Sequence, residues 1–312
     1  MIKENIYTMN TAFRGEYTIS GFSFGNGEKA ACIMGAMRGN EFQQLYICSL
    51  LSKKLSELES RGAIVSGKQI LLIPSINYSS FNVGKKYWIS DNSDINRAFP
   101  GNDMGQATSR IAAAVMEKTA GYSYGIQFAS FYMEGEFIPH VRMMETGKQS
   151  SSLANLFGMP YVFTAEPRSY DRATLNYNWQ MNGTEAFSIY SGVTDHIDGE
   201  SAAQAVSAVL RFLTRMGIIR YNCHAGYIST VMDEEELLSI KSDKAAGFFK
   251  RLVNPGDEVV RGDIIANIIN PMTGEVTSDI YAPTDGIIFY AQNAPMIYQN
   301  SVIFKIIRRL HN

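Results

Sequence analysis

Gly35-Ala36-Met37-Arg38-Gly39-Asn40-Glu41 stands between an apolar run at residues 29–34 and a stretch in which Leu45, Cys48, Leu51 and Leu55 recur at helical spacing. The run is short and uniformly apolar, as expected of a strand buried on both faces, and the spacing beyond it predicts a helix opened by Glu41. Strand, glycine turn and helix therefore follow in succession. A second apolar strand at residues 69–74 leads through Asn77 into a long loop carrying Asp94-Ile95-Asn96-Arg97-Ala98-Phe99-Pro100-Gly101. Loops just beyond strand ends are where open α/β sheets place their sites, so both phrases are candidate site segments.

The rest of the first two-thirds keeps this alternation. Helices are expected at 109–118, 151–157, 174–181 and 201–216, and strands at 125–131, 159–163 and 186–190. Such alternation implies a mixed or mostly parallel sheet covered by helices on both faces. After about residue 219 the texture changes to short β-rich runs separated by Pro255-Gly256-Asp257, Arg261-Gly262-Asp263, Met272-Thr273-Gly274 and Ala282-Pro283-Thr284-Asp285-Gly286. Turn signals at such short intervals predict a small all-β domain. The reading is thus an α/β domain over 1–218 and a β-rich domain over 219–312.

Composition narrows the function classes. The chain has 312 residues, is 46% apolar and 19% charged, and carries a formal net charge of −2. Its one basic cluster lies at 305–309, too small a footprint for a nucleic-acid or anionic-membrane partner. Residues 1–5 lack the apolar core of a secretory signal and no run reaches bilayer length, which points to a cytoplasmic protein. Cys32, Cys48 and Cys223 are widely spaced and odd in number, so neither a disulfide framework nor a cysteine zinc knuckle is expected. Cys32 and Cys48 read as buried thiols.

The two phrases resemble the signature of the succinylglutamate desuccinylase/aspartoacylase family, acyl-amino-acid amidohydrolases on a zinc-carboxypeptidase-like fold, whose first motif reads Gly-x-x-His-Gly-x-Glu. The resemblance implies that α/β fold followed by a small barrel-sandwich-like β-domain. The Gly-Asp-x-Val and Ala-Pro-x-x-Gly phrases are also similar to biotinyl and lipoyl carriers. Residues 270–275, Asn-Pro-Met-Thr-Gly-Glu, offer no lysine to acylate, and a carrier role is rejected.

At the reaction positions the resemblance fails. Arg38 stands where the family has a zinc-binding histidine, Ala129 where a second histidine ends a strand, and Tyr190 where the family's general-base glutamate lies. Glu41 alone is retained. A guanidinium has no lone pair to give a metal, and a hydrolytic zinc needs about three protein ligands. We therefore expect no bound cofactor, zinc included, and a pairing of Arg38 with Glu41 in its place. Asn96 and Arg97 match the family's contacts to a substrate carboxylate, and Arg168 and Arg172, with Tyr170, lie in a loop that family members use similarly.

The leading expectation is a catalytically degenerate member that binds a small carboxylate ligand such as an acyl-amino acid, or serves as a regulatory or partner subunit, in an oligomer with itself or an active relative. The alternative is an active amidohydrolase with a relocated metal site, drawn from Glu41, Glu134 and His140, with Glu136 nearby, or from Asp195, His196 and Asp198. Cys223-His224 carries no triad, and no nucleophile elbow, Walker loop or dinucleotide fingerprint is present.

Overall fold

The computed structural model of the chain describes residues 1–11 and 15–309, so the last three positions of the expected β-rich segment lie outside the described residues. It forms two compact units, one of residues 1–130 and 139–231, the other of 131–138 and 232–309 within the described range. The sequence division had been placed at 218/219. Among the described residues no helix is long and apolar enough to cross a membrane.

In chain order the strands and helices of the first unit begin with Ile2–Thr11 (β1), Gly15–Gly25 (β2), Glu28–Ala36 (β3), Phe42–Ser60 (α1), Lys68–Ser75 (β4) and the short Tyr78–Phe81 (α2). Ala107–Thr119 (α3) and Tyr124–Ala129 (β5) follow; Glu136–Phe137 (β6) belongs to the second unit. Then come His140–Met144 (β7), Tyr161–Ala165 (β8), Leu175–Met181 (α4), Glu185–Tyr190 (β9), Gly199–Arg215 (α5) and Thr230–Asp233 (β10), within which the first unit ends. The sheet order is β1-β2-β4-β3-β5-β9-β7-β8-β10. β4, β3, β5 and β9 run parallel, with β1–β2, β2–β4 and β9–β7 antiparallel, so the sheet is mixed as expected.

Alternation along the central strands builds two cores. Ala31 and Ile33 of β3, with Ile70 and Leu72 of β4, face Ile47, Leu51 and Leu55 of α1 and Val209 and Phe212 of α5. Cys32, Met34, Leu71 and Ile73 point the other way, against Ile111 and Val115 of α3 and Trp179 of α4. Successive side chains of a strand alternate faces, which is why a run with no polar position needs cover on both sides. Cys32 and Cys48 are free thiols inside these cores, and burial pushes both pKa values far up.

Three local differences from the sequence reading have physical causes. Residues 151–157 form a 3-10 helix, capped by Ser150 accepting from Ser152 N and ended by Gly158 at φ 63°, rather than an α-helix. β5 ends at Ala129, because Phe131 packs on Phe137 and Tyr290 in the second unit. The sequence reading does not include the β1–β2 hairpin: β1 is largely polar and exposed, while Ile6, Tyr17 and Ile19 join one core and Phe24 the other.

The second unit contains Leu238–Lys241 (β11), Gly247–Arg251 (β12), Glu258–Val259 (β13), Ile264–Ile269 (β14), Val276–Tyr281 (β15), Gly286–Ala291 (β16), Met296–Ile297 (β17) and Val302–Arg308 (β18). They form two sheets, β11-β18-β16-β13 with β6 beside β16, and β15-β14-β12-β17, sharing a core of Ile265, Ile268, Ile288, Phe304 and Ile306. One turn device is used twice. Asp257 accepts from Asn254 N at 2.7 Å and Asp263 from Val260 N at 2.8 Å, with Gly256 and Gly262 each at φ 96°. The Pro-Gly-Asp and Arg-Gly-Asp phrases thus fold as tight turns whose glycines take a conformation costly for other residues.

Gly35 sets how closely β3 approaches its neighbours. A Cβ there would lie 2.2 Å from Pro74 O and 2.5 Å from Cys48 Sγ, inside contact distance of backbone and core. Gly35→Ala should cost roughly 1–3 kcal/mol, the usual range for overpacking, read as a lowered midpoint in chemical denaturation.

Candidate functional site

Three adjacent parallel strands deliver the site. β3, β5 and β9 lie side by side, and Arg38, Ser130 and Tyr190 stand at or just beyond their carboxyl ends. Ala129 and Tyr190 are direct register partners across β5 and β9. Two positions read separately in the sequence are therefore neighbours, although neither carries the imidazole or carboxylate of the family signature.

The turn after β3 is held by Glu41. Its backbone N–H donates to Arg38 O at 3.1 Å, and its side chain folds back so that Oε2 accepts from Met37 N at 2.7 Å and Arg38 N at 3.1 Å. Although Glu41 is the residue before α1, it makes no side-chain cap on that helix. Gly39 permits the turn: a Cβ would fall 2.4 Å from Ser80 C and 2.5 Å from Lys85 O.

Arg38 is 7% exposed and Glu41 2%, so both ions are buried and must be compensated. The expected Arg38–Glu41 pair is present, but it is not where the guanidinium fork closes. The fork closes on Asp94, with Nε to Oδ1 at 3.0 Å and Nη2 to Oδ2 at 2.7 Å. Glu41 receives a single longer contact, Nη1 to Oε1 at 3.5 Å. Fork geometry explains the choice, since Asp94 presents both oxygens edge-on while Glu41 spends Oε2 on backbone donors. Ser130 bridges: its hydroxyl donates to Glu41 Oε1 at 2.5 Å and accepts from Arg38 Nη1 at 2.9 Å.

The charges tune one another. Burial alone lowers the Arg38 pKa, but the carboxylates of Glu41 and Asp94 outweigh it and push it up, so the guanidinium stays charged. Burial raises the Asp94 pKa, yet the bonds and charge of Arg38, helped by Asn96 N, bring it below the ordinary carboxylate value. Asp94 also caps the 3-10 turn Ile95–Arg97, accepting from Asn96 N at 3.1 Å. The buried cluster is thereby wired to the second motif.

Of the motif's remaining polar side chains, Asn96 is half-buried and Arg97 is exposed. Asn96 Oδ1 is occluded and has no donor among the described residues. Arg97 Nη1 donates to Tyr170 O at 2.7 Å, its guanidinium lies 5.0 Å from the Tyr170 ring centre, and Asp171 is 3.9 Å away. Arg168 Nη1 donates to Tyr170 OH at 2.7 Å. The structure brings Arg97 and Arg168 together around one tyrosine, both on the exposed surface, whereas Arg172 lies exposed on the next turn with its carbonyl held by Asn178 Nδ2.

The alternative metal sets are not assembled. Among the described residues no three His, Cys, Asp or Glu side chains group as a metal site. His140 is buried in β7 with its ring stacked on Tyr190 at 4.7 Å. Glu134 is exposed, its carbonyl accepting from Tyr290 OH, and Glu136 pairs with Arg251 at 3.0 Å. Asp198 caps α5 through Glu200 N and Ser201 N, while His196 and Asp195 pair in solvent. The His224 carbonyl accepts from Arg211 Nε at 2.8 Å, which accounts for the Cys223-His224 stretch as a clamped connection.

Residues 28–215 match the sequence profile of the succinylglutamate desuccinylase/aspartoacylase catalytic domain. The chain belongs to this family. No curated protein matches it by sequence. Its fold is similar to that of a succinylglutamate desuccinylase from Silicibacter sp. TM1040, with TM-score 0.80 and 19% identity over 97% of this chain and 92% of that one. It is also similar to the ectoine utilization protein EutE (DoeB) of Ruegeria pomeroyi, with TM-score 0.78 and 17% identity over 96% and 92% of the two chains. An aspartoacylase family protein of Mesorhizobium loti gives TM-score 0.76 and 20% identity over 98% and 94%.

Zinc, which the family implies, is tested by the donors present. Arg38 and Ala129, the residues compared above with the family's histidines, supply no lone pair, and both Glu41 oxygens already accept two hydrogen bonds each. These residues do not fit the metal. Ser130 and the Asp94 fork were missed as members of the cluster. Ser130 lies one residue past the position compared with a histidine, and the Arg38 to Asp94 pair spans 56 positions that no local spacing connects.

Arg38→Met would leave two carboxylates without their cation, and removing one partner of a buried pair costs roughly 3–5 kcal/mol, so unfolding free energy should fall by that order. A depressed folded pKa at Asp94 stabilises the protein above the unfolded carboxylate pKa of about 3.9 and is lost as pH falls through the folded value. The stability difference between wild type and Asp94→Asn should therefore hold steady above about pH 5 and shrink below that unfolded pKa. Denaturation curves from pH 7 to pH 3 measure it.

Proposed function

We propose that this family member binds a small carboxylate ligand, of the acyl-amino-acid class, without hydrolysing it. One observation carries the reading: the position that a metal would need is filled by a guanidinium already locked on Asp94, Glu41 and Ser130. Amide hydrolysis in this setting calls for an activated water and a proton carrier. Tyr190 at the base position is a phenol stacked on His140, not a carboxylate.

The binding half of the motif keeps its chemistry. Arg97 and Arg168 place cationic groups at the surface around Tyr170. Arginine forks recognise carboxylates without help from a metal. The same reading makes the chain a cytoplasmic binding or regulatory subunit, alone or paired with a relative that keeps both histidines.

Calorimetry with N-acetyl-aspartate and N-succinyl-glutamate, run beside an amine-release assay, tests this. Binding of at least one compound is expected with no turnover, and Arg97→Ala should weaken it about tenfold, the scale of one charge-assisted fork. Release of free amino acid by the zinc-supplied protein, abolished by Glu41→Gln, would contradict the proposal.

A further inference from the structure

On α3, Arg110, Ala113, Ala114 and Glu117 recur at i, i+3, i+4 and i+7 and therefore share one helix face. That face lines an open groove of about 670 Å³, walled by Ile6 and Tyr7 of β1 and by Gly101, Asn102 and Asp103 of the loop before the helix. A cavity of this size suits a small molecule. The alanines create the space, since a larger side chain at either position would project into it. Gly101, at φ 90°, lets the loop pass directly over α3, where a Cβ would lie 2.2 Å from Ala113 N.

The groove contains an uncompensated guanidinium. Arg110 is half-buried; its Nε is closed to solvent with no acceptor among the described residues, so only its terminal Nη groups can meet a ligand in the groove. Neither Glu117, on the same helix face, nor Asp103, in the loop before the helix, is ion-paired with it, although both line the same groove. A half-buried guanidinium with no carboxylate or carbonyl on it among the described residues leaves its terminal donors for an anionic partner from outside the chain. The carboxylates offer the complementary interaction to a cation. Arg110 and Glu117 stand seven residues apart, about 10 Å along the helix.

We propose that this groove, lined by residues other than those of the Arg38 cluster, binds an elongated small zwitterion, with a carboxylate on Arg110, an apolar chain over Ala113, Ala114 and Ile6, and an ammonium toward Glu117 and Asp103. None of these side chains is Asn96, Arg97 or Arg168, and the two readings stand or fall separately.

Titration calorimetry of the full chain with 5-aminopentanoate, against pentanoate and pentylammonium as singly charged controls, tests it. The zwitterion should bind about tenfold or more tightly than either control, the scale of one charge-assisted interaction. Arg110→Gln should reduce its affinity about tenfold by the same argument, and Glu117→Gln should bring it to the level of pentanoate. Ala114→Leu, verified as folded by circular dichroism, should abolish binding by filling the groove, while Arg97→Ala should leave it unchanged. No heat at millimolar 5-aminopentanoate, equal affinity for pentanoate, or affinity indifferent to Arg110→Gln and Ala114→Leu would overturn the proposal.

Discussion

A buried positive charge with nowhere else to go organises this molecule's site. Arg38 is nearly inaccessible to solvent, and a guanidinium keeps its proton at any physiological pH, so the chain must surround it with acceptors. Asp94 supplies two, Ser130 one and Glu41 a fourth at longer range. Each comes from a different segment: the turn after β3, the second motif and the end of β5. The cluster thereby fixes three loops relative to one another, as a metal ion with ligands on separate strands would. It differs in what it can do, because its charge is covalently part of the chain and its hydrogen bonds are already spent.

Ser130 makes the arrangement self-consistent. Its single proton goes to Glu41 and its lone pair to Arg38, so one hydroxyl satisfies an anion and a cation together. Glu41, freed of helix capping, uses its other oxygen to hold the backbone of Met37 and Arg38. A retained glutamate in a motif is commonly read as a retained catalyst. In this chain the same carboxylate keeps the turn in shape.

Much of the architecture was legible because its causes are local. The uniformly apolar run at 29–34 requires cover on both faces, and the two cores on either side of β3 supply it. Glycines with two-residue partners marked the turns of the second unit, where Asp257 and Asp263 repeat one hydrogen-bonding device. The β1–β2 hairpin is absent from the sequence reading although β2 alternates, as Tyr17-Thr18-Ile19-Ser20 shows; its partner β1 is mostly polar and gives no matching signal. In the site, positions could be read but partners could not. Arg38 is placed by Gly39 and Glu41, whereas its fork partner, Asp94, lies 56 positions away and no local spacing points to it. The candidate ligands Glu134, His140, Asp195, His196 and Asp198 were chosen by residue type, and burial, stacking and helix capping account for His140 and Asp198 without a metal.

The central claim is that a guanidinium occupies the place of a Lewis acid, and it is tested most directly by equilibrium dialysis of the intact protein against zinc, with metal quantified per chain. Wild type should retain none above a bovine serum albumin-corrected background, and Arg38→His with Ala129→His should gain one zinc per chain by restoring two donors beside Glu41. One tightly held zinc in the wild-type protein, lost on Glu41→Gln, would contradict the account.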